Sequence, residues 1–449
     1  MQYGKKERTL QNFRKEHLCK FMKTAGIIAE YNPFHKGHEY QIRYTKEKLK
    51  ADYVIVAMSG DYVQRGTPAL ISKHARAEMA LRCGADLVLE MPVSVSTASA
   101  EAFAMGGVSL LDGLGVVDML CFGSESGEIS ALKELAEILV EEPEEYKKLL
   151  KSFLSEGLTF PAARSQALTE YFKNPRNFSG DDFDGVLTPL LNEVTQILNT
   201  PNNILGIEYC KALLRLNSRI IPHALLRKGS GYHDTDFSLL SDEKFPSASG
   251  IRNLMKKSEK AGQSADFSRL IPSASISGFL DSLEKGAWLS DSALDLPLHY
   301  KLLLESEETL QMYPDLSDAL IRRILKSRNQ YEGFSQFADL LKTRDITRSA
   351  ICRSLVRIFL NQKTKAPGHI PYARVLGFRK NSAPLLSQIK KNSSIPLITK
   401  AADASSILDE NALQLFHETC EASNLYEMLL CHKTGLPFIH EMKKPLRII

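Results

Sequence analysis

The sequence predicts an α/β protein in which a parallel sheet comes first and a mainly helical, basic C-terminal domain follows. Three observations carry that expectation. Short β-branched runs alternate with amphipathic stretches from Met22 to about Ser130, the pattern of successive βαβ units. After about Asp266 the periodicity is helical to the end, interrupted by a Pro/Gly-rich basic passage from Lys363 to Lys400. Charge is unevenly placed: residues 1–21 alone account for the net +4, while residues 322–400 hold 17 Lys/Arg against Glu332, Asp339 and Asp345.

Met1–Phe21 is charged throughout and lacks the apolar core of a secretory signal, so residues 1–21 read as a flexible extension. Thr24–Ala29, Tyr53–Met58, Asp86–Glu90 and Asp118–Phe122 read as buried parallel strands. Sheets of this kind bind ligands outside the carboxyl ends of their strands, which directs attention to the loops after Ala29, Met58, Glu90 and Phe122. From Leu132 to about Phe172 the chain turns helical and charged, opening an insertion over about 132–200, and Asn174–Asp184 reads as a loop. Helix Asn203–Leu216, strand Arg219–Leu226, a turn at Gly229-Ser230-Gly231 and a helix opening near Ser247 complete a catalytic domain over 22–260. The helical region, 261–449, is the second domain.

At 449 residues and 43% apolar composition the chain can bury more than one core. Its apolar runs, such as Val54–Met58, are strand-sized, far below the roughly 20 residues of a bilayer span, so a cytoplasmic protein without membrane contact is expected. Seven scattered cysteines without a C-x-x-C pair read as reduced structural thiols, with no metal site.

The strongest local signal is Glu30-Tyr31-Asn32-Pro33-Phe34-His35-Lys36-Gly37-His38, placed between the first strand and the helix that follows. Gly37 would let a nucleotide approach the backbone, the helix N-terminus would offer free N–H groups to phosphate, and His35 and His38 would donate to phosphate oxygens as negative charge builds. Further on, Ser247-Ala248-Ser249-Gly250-Ile251-Arg252 opens another helix: Ser247 fits an N-cap, and Arg252 can face a triphosphate. Among Ser59–Ser72 and Lys73, the residues Asp61, Gln64, Arg65 and Lys73 lie close to one strand end and are candidates for an acid pocket or for docking an acceptor base. In the basic region, arginines interleave with Tyr331, Phe334, Tyr372 and Phe378, a mixture suited to a polyanion with splayed bases.

The H-x-G-H run resembles the signature of the HxGH nucleotidyltransferase superfamily, which implies a Rossmann-like nucleotidyltransferase sheet; Ser247–Arg252 stands where that group has its second motif, with Ser in a place where Thr is usual. Longer blocks are more specific. Ala29–His35, Met58–Gly66, Cys121–Glu125, Pro201–Tyr209, Gly231–Asp234 and Tyr372–Phe378, in that order, resemble the tRNA(Met) cytidine acetate ligase family. The resemblance runs from Met22 essentially to the C-terminus, and Lys36 replaces the usual Asn. It implies an ATP-dependent ligase that activates acetate as acetyl-adenylate, with ATP going to AMP and pyrophosphate and Mg2+ assisting, and then acetylates N4 of the wobble cytidine of elongator tRNA(Met). It also implies an ATP site formed by Ile28, Ala29, Glu30, Tyr31, Asn32, Pro33, Phe34, His35, Lys36, Gly37, His38, Glu39, Tyr40 and Gln41, joined by Gly123, Asn202, Asn203 and Arg227, with Ser247, Ser249 and Arg252. His35 and His38 are the expected catalytic residues. Arg344, Arg348, Arg353, Arg374, Arg379 and Lys380 are the expected tRNA contacts. Two other readings stay open: a nucleotidyltransferase making a dinucleotide or coenzyme precursor, and a non-catalytic nucleotide-sensing RNA-binding protein.

Overall fold

The computed structural model describes residues 22–174, 194, 197–228, 245, 247–261 and 265–449. The expectations for Met1–Phe21, for most of the Asn174–Asp184 loop, for the Gly229-Ser230-Gly231 turn and for the Gly231–Asp234 block lie outside the described residues.

The expected strands form with shifts of at most two residues at their ends: β1 (Thr24–Ala29), β2 (Tyr53–Ser59), β5 (Leu87–Met91), β6 (Met119–Ser124) and β7 (Ile221–Leu226) pair in parallel in the order β5-β2-β1-β6-β7. Between β2 and β5, the two-residue strands β3 (Tyr62–Val63) and β4 (Thr67–Pro68) make a small antiparallel hairpin. The central strands are buried on both faces; Ile27, Val56 and Leu89 have no exposed surface, and each such side chain contributes about 1.5–3 kcal/mol relative to exposure.

The basic passage also enters the sheet. β8 (Ala373–Phe378) runs antiparallel to β5, with β9 (Leu397–Ile398) and β10 (Arg447–Ile448) parallel to β8, so the Pro/Gly-rich interruption supplies two of the eight strands and the C-terminal residues a third. The rest of the C-terminal region is helical.

Seven helices matter for the site. They are α1 (Lys36–Glu47), α2 (Lys73–Arg82), α3 (Ala100–Gly113), α4 (Pro201–Arg215), α5 (Ala248–Ala261), α6 (Arg348–Phe359) and α7 (Glu410–Thr434). Local sequence starts most of them: Ser72, Ser99, Thr347 and Asp409 each accept a backbone N–H three residues on, at 3.3, 3.3, 3.3 and 2.8 Å.

A buried ionic cluster fastens the C-terminal region to the sheet. Lys73 Nζ, wholly buried at the start of α2, meets Glu90 Oε1 of β5 at 2.6 Å, Ser423 Oγ of α7 at 2.7 Å and Glu441 Oε1 at 2.9 Å. Arg374 of β8 binds Glu90 Oε2 at 2.9 Å and Glu441 Oε1 at 2.6 Å, and His74 Nε2 meets Glu441 at 3.1 Å. Asp61 joins by accepting the Lys73 N–H at 2.7 Å. Removing one member of such a cluster leaves an uncompensated buried charge, a loss of about 3–5 kcal/mol. This placement corrects the expectation for Arg374: it is buried and committed to two carboxylates, and so is not a tRNA contact.

Candidate active site

The strand order reverses at β1 and β6, and the loops leaving these strands diverge around a cavity of about 980 Å³ at the carboxyl ends. Of the segment expected to hold ATP, Ile28, Ala29, Glu30, Tyr31, Asn32, His35, Gly37, His38, Tyr40 and Gln41 line it; Pro33, Phe34, Lys36 and Glu39 do not. Gly123, Asn202 and Arg227 line the same cavity from β6, α4 and the end of β7, and Ser247, Ser249 and Arg252 line it from α5.

His35 is the N-cap of α1, and its Nδ1 accepts the Gly37 N–H at 3.1 Å. Reciprocally, the His35 N–H donates to His38 Nδ1 at 3.2 Å, and the rings stack with centroids 3.7 Å apart. Tyr31 and Phe34 pack against His38 from behind, with ring centroids at 4.7 and 5.6 Å. Burial lowers the pKa of both imidazoles; His38, Arg227 and Arg252 depress His35 further, and Arg227 helps bring His38 to about 3. Each ring is therefore neutral near pH 7, and because each Nδ1 is an acceptor the proton resides on Nε2.

One local expectation changes. The N-terminal N–H groups of α1 are already used: Lys36 donates to Leu270 O at 3.1 Å, Gly37 to His35 Nδ1, and His38 to His35 O at 2.9 Å. Gly37 lines the cavity and also makes room for the histidines, since a Cβ there would sit 2.9 Å from His35 Cε1. The donors this turn leaves facing the cavity are the imidazole Nε2–H groups.

Around them the loops are tied together. Arg252 Nη1 donates to Asn32 O at 2.5 Å and its Nη2 to Ser249 Oγ at 3.2 Å, joining α5 to the loop after β1, while burial and then Arg65 lower its pKa to about 10. Ser247 caps α5 as expected, accepting the Gly250 N–H at 3.1 Å. Gln41 Nε2 donates to Cys121 O at 3.0 Å, joining α1 to β6.

Asn203 stands behind the wall. Its Oδ1 accepts from Ser124 Oγ at 2.6 Å and from the Glu125 N–H at 2.9 Å, and its Nδ2 donates to Thr200 Oγ1 at 2.7 Å, so it shapes the loop after β6 and leaves Asn202 facing the cavity.

Sequence reasoning gave no role to Glu125 or Arg76. The Glu125 carboxylate accepts the Asn203 N–H at 2.9 Å and the Asn202 N–H at 3.4 Å, holding the N-terminus of α4. Arg76, fully buried, donates to the carbonyls of Ile71, Glu30 and Ser59 at 3.0, 2.6 and 3.1 Å and also to Gly60 O, clamping the ends of β1 and β2. Glu125 was visible as part of a motif block; nothing local marks Arg76.

α6 forms the far wall through Arg348, Ser349, Cys352 and Arg353. Two of the expected tRNA contacts, Arg348 and Arg353, therefore line the same cavity as the histidines, and Arg344 lies exposed just before them. Arg379 and Lys380 are elsewhere: their backbone N–H groups bind Asp86 O at 3.0 Å and Ile449 O at 2.8 Å, at the opposite edge of the sheet. Three other arginines of the region make contacts within the chain: Arg357 is buried, Arg328 half-buried and Arg323 exposed. Arg323 donates to Leu340 O, Arg328 to Glu305 O, and buried Arg357 to Pro314 O and Thr97 O, at 3.1, 2.9, 3.0 and 3.2 Å. Phe334 and Tyr372 are core residues.

Two carboxylates line the cavity, and both are engaged: Glu30 Oε1 accepts the Gln64 N–H at 2.8 Å, and Asp291 takes Lys256 Nζ at 2.5 Å and Ser335 Oγ at 2.6 Å. The described residues contain no group of three potential metal ligands, and no described helix is long and apolar enough to cross a membrane.

The family model for HIGH Nucleotidyl Transferase matches residues 22–435. The tRNA(Met) cytidine acetate ligase of Clostridium novyi is 38% identical over 384 residues, covering 84% of this chain and 90% of that protein; the one from Clostridium acetobutylicum is 40% identical over the same shares. The chain belongs to the tRNA(Met) cytidine acetate ligase family. A crystal structure of Thermotoga maritima TmcAL bound with alpha-thio ATP is 30% identical with a TM-score of 0.82, covering 95% of this chain and 100% of that one. The apo form of the same protein gives 31% and 0.83 at the same coverage. Membership in this ligase family fits an H-x-G-H turn at the switch point of a parallel sheet.

Proposed function

We propose that this chain is an ATP-dependent ligase that joins acetate to the wobble cytidine N4 of elongator tRNA(Met) in two half-reactions, both in the cavity at the β1/β6 crevice. In the first, an acetate oxygen attacks the α-phosphorus of ATP; an O–P bond forms, the α–β bridge breaks, and pyrophosphate leaves with the electron pair. In the second, the cytidine N4 attacks the acetyl carbonyl, the bond to AMP breaks, and the N4 proton passes to solvent.

The observation that carries this reading is the reciprocal His35–His38 cap, which fixes two neutral imidazoles with Nε2–H as their only free polar group. A neutral donor of fixed tautomer stabilises charge developing on phosphate oxygens without reorganising, a contribution of about 2.7–4 kcal/mol per donor in comparable sites. Arg252 and Arg227 supply the full positive charges. Magnesium is expected to arrive on the triphosphate, held mainly by phosphate oxygens and water, and no side chain is assigned to it. α6 favours tRNA over a small acceptor: it brings Arg348 and Arg353 to the adenylate cavity, where a splayed-out base would need phosphate contacts nearby. A cytoplasmic location accords with these substrates.

The test is to incubate the purified protein with ATP, with and without acetate and tRNA. The expected result is acetate-dependent pyrophosphate release and N4-acetylcytidine only when tRNA is present. AMP or pyrophosphate formation indifferent to acetate removes the assignment.

A further inference from the structure

We propose that the tip of the β3–β4 hairpin is the subsite for the small acid, with Gln64 positioning its carboxylate and Pro68 and Leu70 closing around its methyl group. This rests on the ligase reading above and adds which residues choose the acyl group.

The hairpin tip is fixed between the nucleotide segment and α6. On one side the Gln64 N–H donates to Glu30 Oε1 at 2.8 Å and the Leu70 N–H to Asn32 Oδ1 at 2.7 Å, so the residues following each strand of the hairpin are tied to the loop after β1. On the other side Gly66, at φ +73°, lies on the backbone of α6: a Cβ there would stand 2.2 Å from Arg353 N and 2.3 Å from the Cys352 carbonyl carbon, a contact only glycine permits. A group that must first meet the α-phosphate and then the acceptor base has to pass between these two walls, and the hairpin tip occupies that position.

The chemistry of the tip suits a short carboxylic acid. Gln64, Arg65, Thr67, Pro68 and Leu70 all line the cavity. The Gln64 Nε2 is shielded from solvent and has no hydrogen-bond partner among the described residues. An amide donor desolvated in this way is stabilised by any substrate oxygen that comes within reach. Pro68 and Leu70 are buried and offer an apolar surface, and a site walled by such residues discriminates by about ten- to two-hundredfold per methylene. Asp61 and Lys73, from the same stretch of sequence, are excluded because both belong to the buried ionic cluster.

The test is acetate-dependent exchange of pyrophosphate into ATP by Gln64→Leu, Gln64→Asn and Leu70→Ala full-length proteins. Gln64→Leu is expected to raise the acetate KM about tenfold or more, with the ATP KM within about twofold of wild type; Gln64→Asn should recover part of the loss. Leu70→Ala should raise the propionate-to-acetate ratio of kcat/KM by about tenfold. A folded Gln64→Leu protein with an unchanged acetate KM, or one that loses kcat alone, overturns the subsite. If Gln64→Leu does not fold, an unchanged propionate-to-acetate ratio in Leu70→Ala overturns it. Wild-type exchange that ignores acetate would instead bring down the ligase reading itself, so the two failures are distinguishable.

Discussion

His35 and His38 hold each other: each Nδ1 accepts a backbone N–H from the turn they share, at 3.1 and 3.2 Å, and their rings stack at 3.7 Å. One turn thereby starts a helix, fixes two tautomers and aims two donors.

Because His35 both caps α1 and donates, its two roles should separate. His35→Asn keeps a capping side chain, so the melting temperature is expected to fall little while acetate-dependent pyrophosphate release drops about 10²–10³-fold. His38→Ala should show a similar rate loss. Activity within about tenfold of wild type in both proteins would remove the histidines from the chemistry.

Neither imidazole should titrate near neutrality. Burial, reinforced by neighbouring positive charge, holds His35 well below the usual histidine range and His38 at about 3. In nuclear magnetic resonance spectra of the protein without nucleotide, both rings are expected to keep the Nε2–H signature unchanged from about pH 8 to pH 5. A protonation step for either ring in that window contradicts the arrangement.

The tRNA surface should be narrower than the charge count suggests. Arg344→Glu with Arg353→Glu is expected to weaken tRNA binding about tenfold or more and to reduce its salt slope. Arg379→Glu with Lys380→Glu, at the far edge of the sheet, is expected to do much less. Equal effects from the two pairs would show that the tRNA wraps around to that edge.

The buried cluster should make stability depend on acid. Burial raises the Glu441 carboxyl's pKa, but Lys73, His74 and Arg374 outweigh that and hold it far below the usual range. Its folded pKa lies below the unfolded value of about 4.3. Its contribution is therefore complete above that unfolded pKa and lost as pH falls further. Glu441→Gln should lower stability near pH 7 by about 3–5 kcal/mol in denaturant titrations, and the gap to wild type should shrink below about pH 4. A gap that is constant with pH argues against an ionised Glu441.

The sequence by itself determined the parallel strands, the H-x-G-H turn and the Ser247 cap, because periodicity and capping are encoded within a few consecutive residues. It could not tell which charges are free. Arg374 and Arg353 look alike in the basic stretch, yet one is neutralised inside the sheet by Glu90 and Glu441 while the other lines the cavity. The same limit hid the use of the α1 N–H groups, taken partly by Leu270 O, and the arrival of α6 opposite the histidines. Those outcomes depend on which carbonyls and carboxylates distant segments bring within about 3 Å. Only the packing of the C-terminal region onto the sheet decides that.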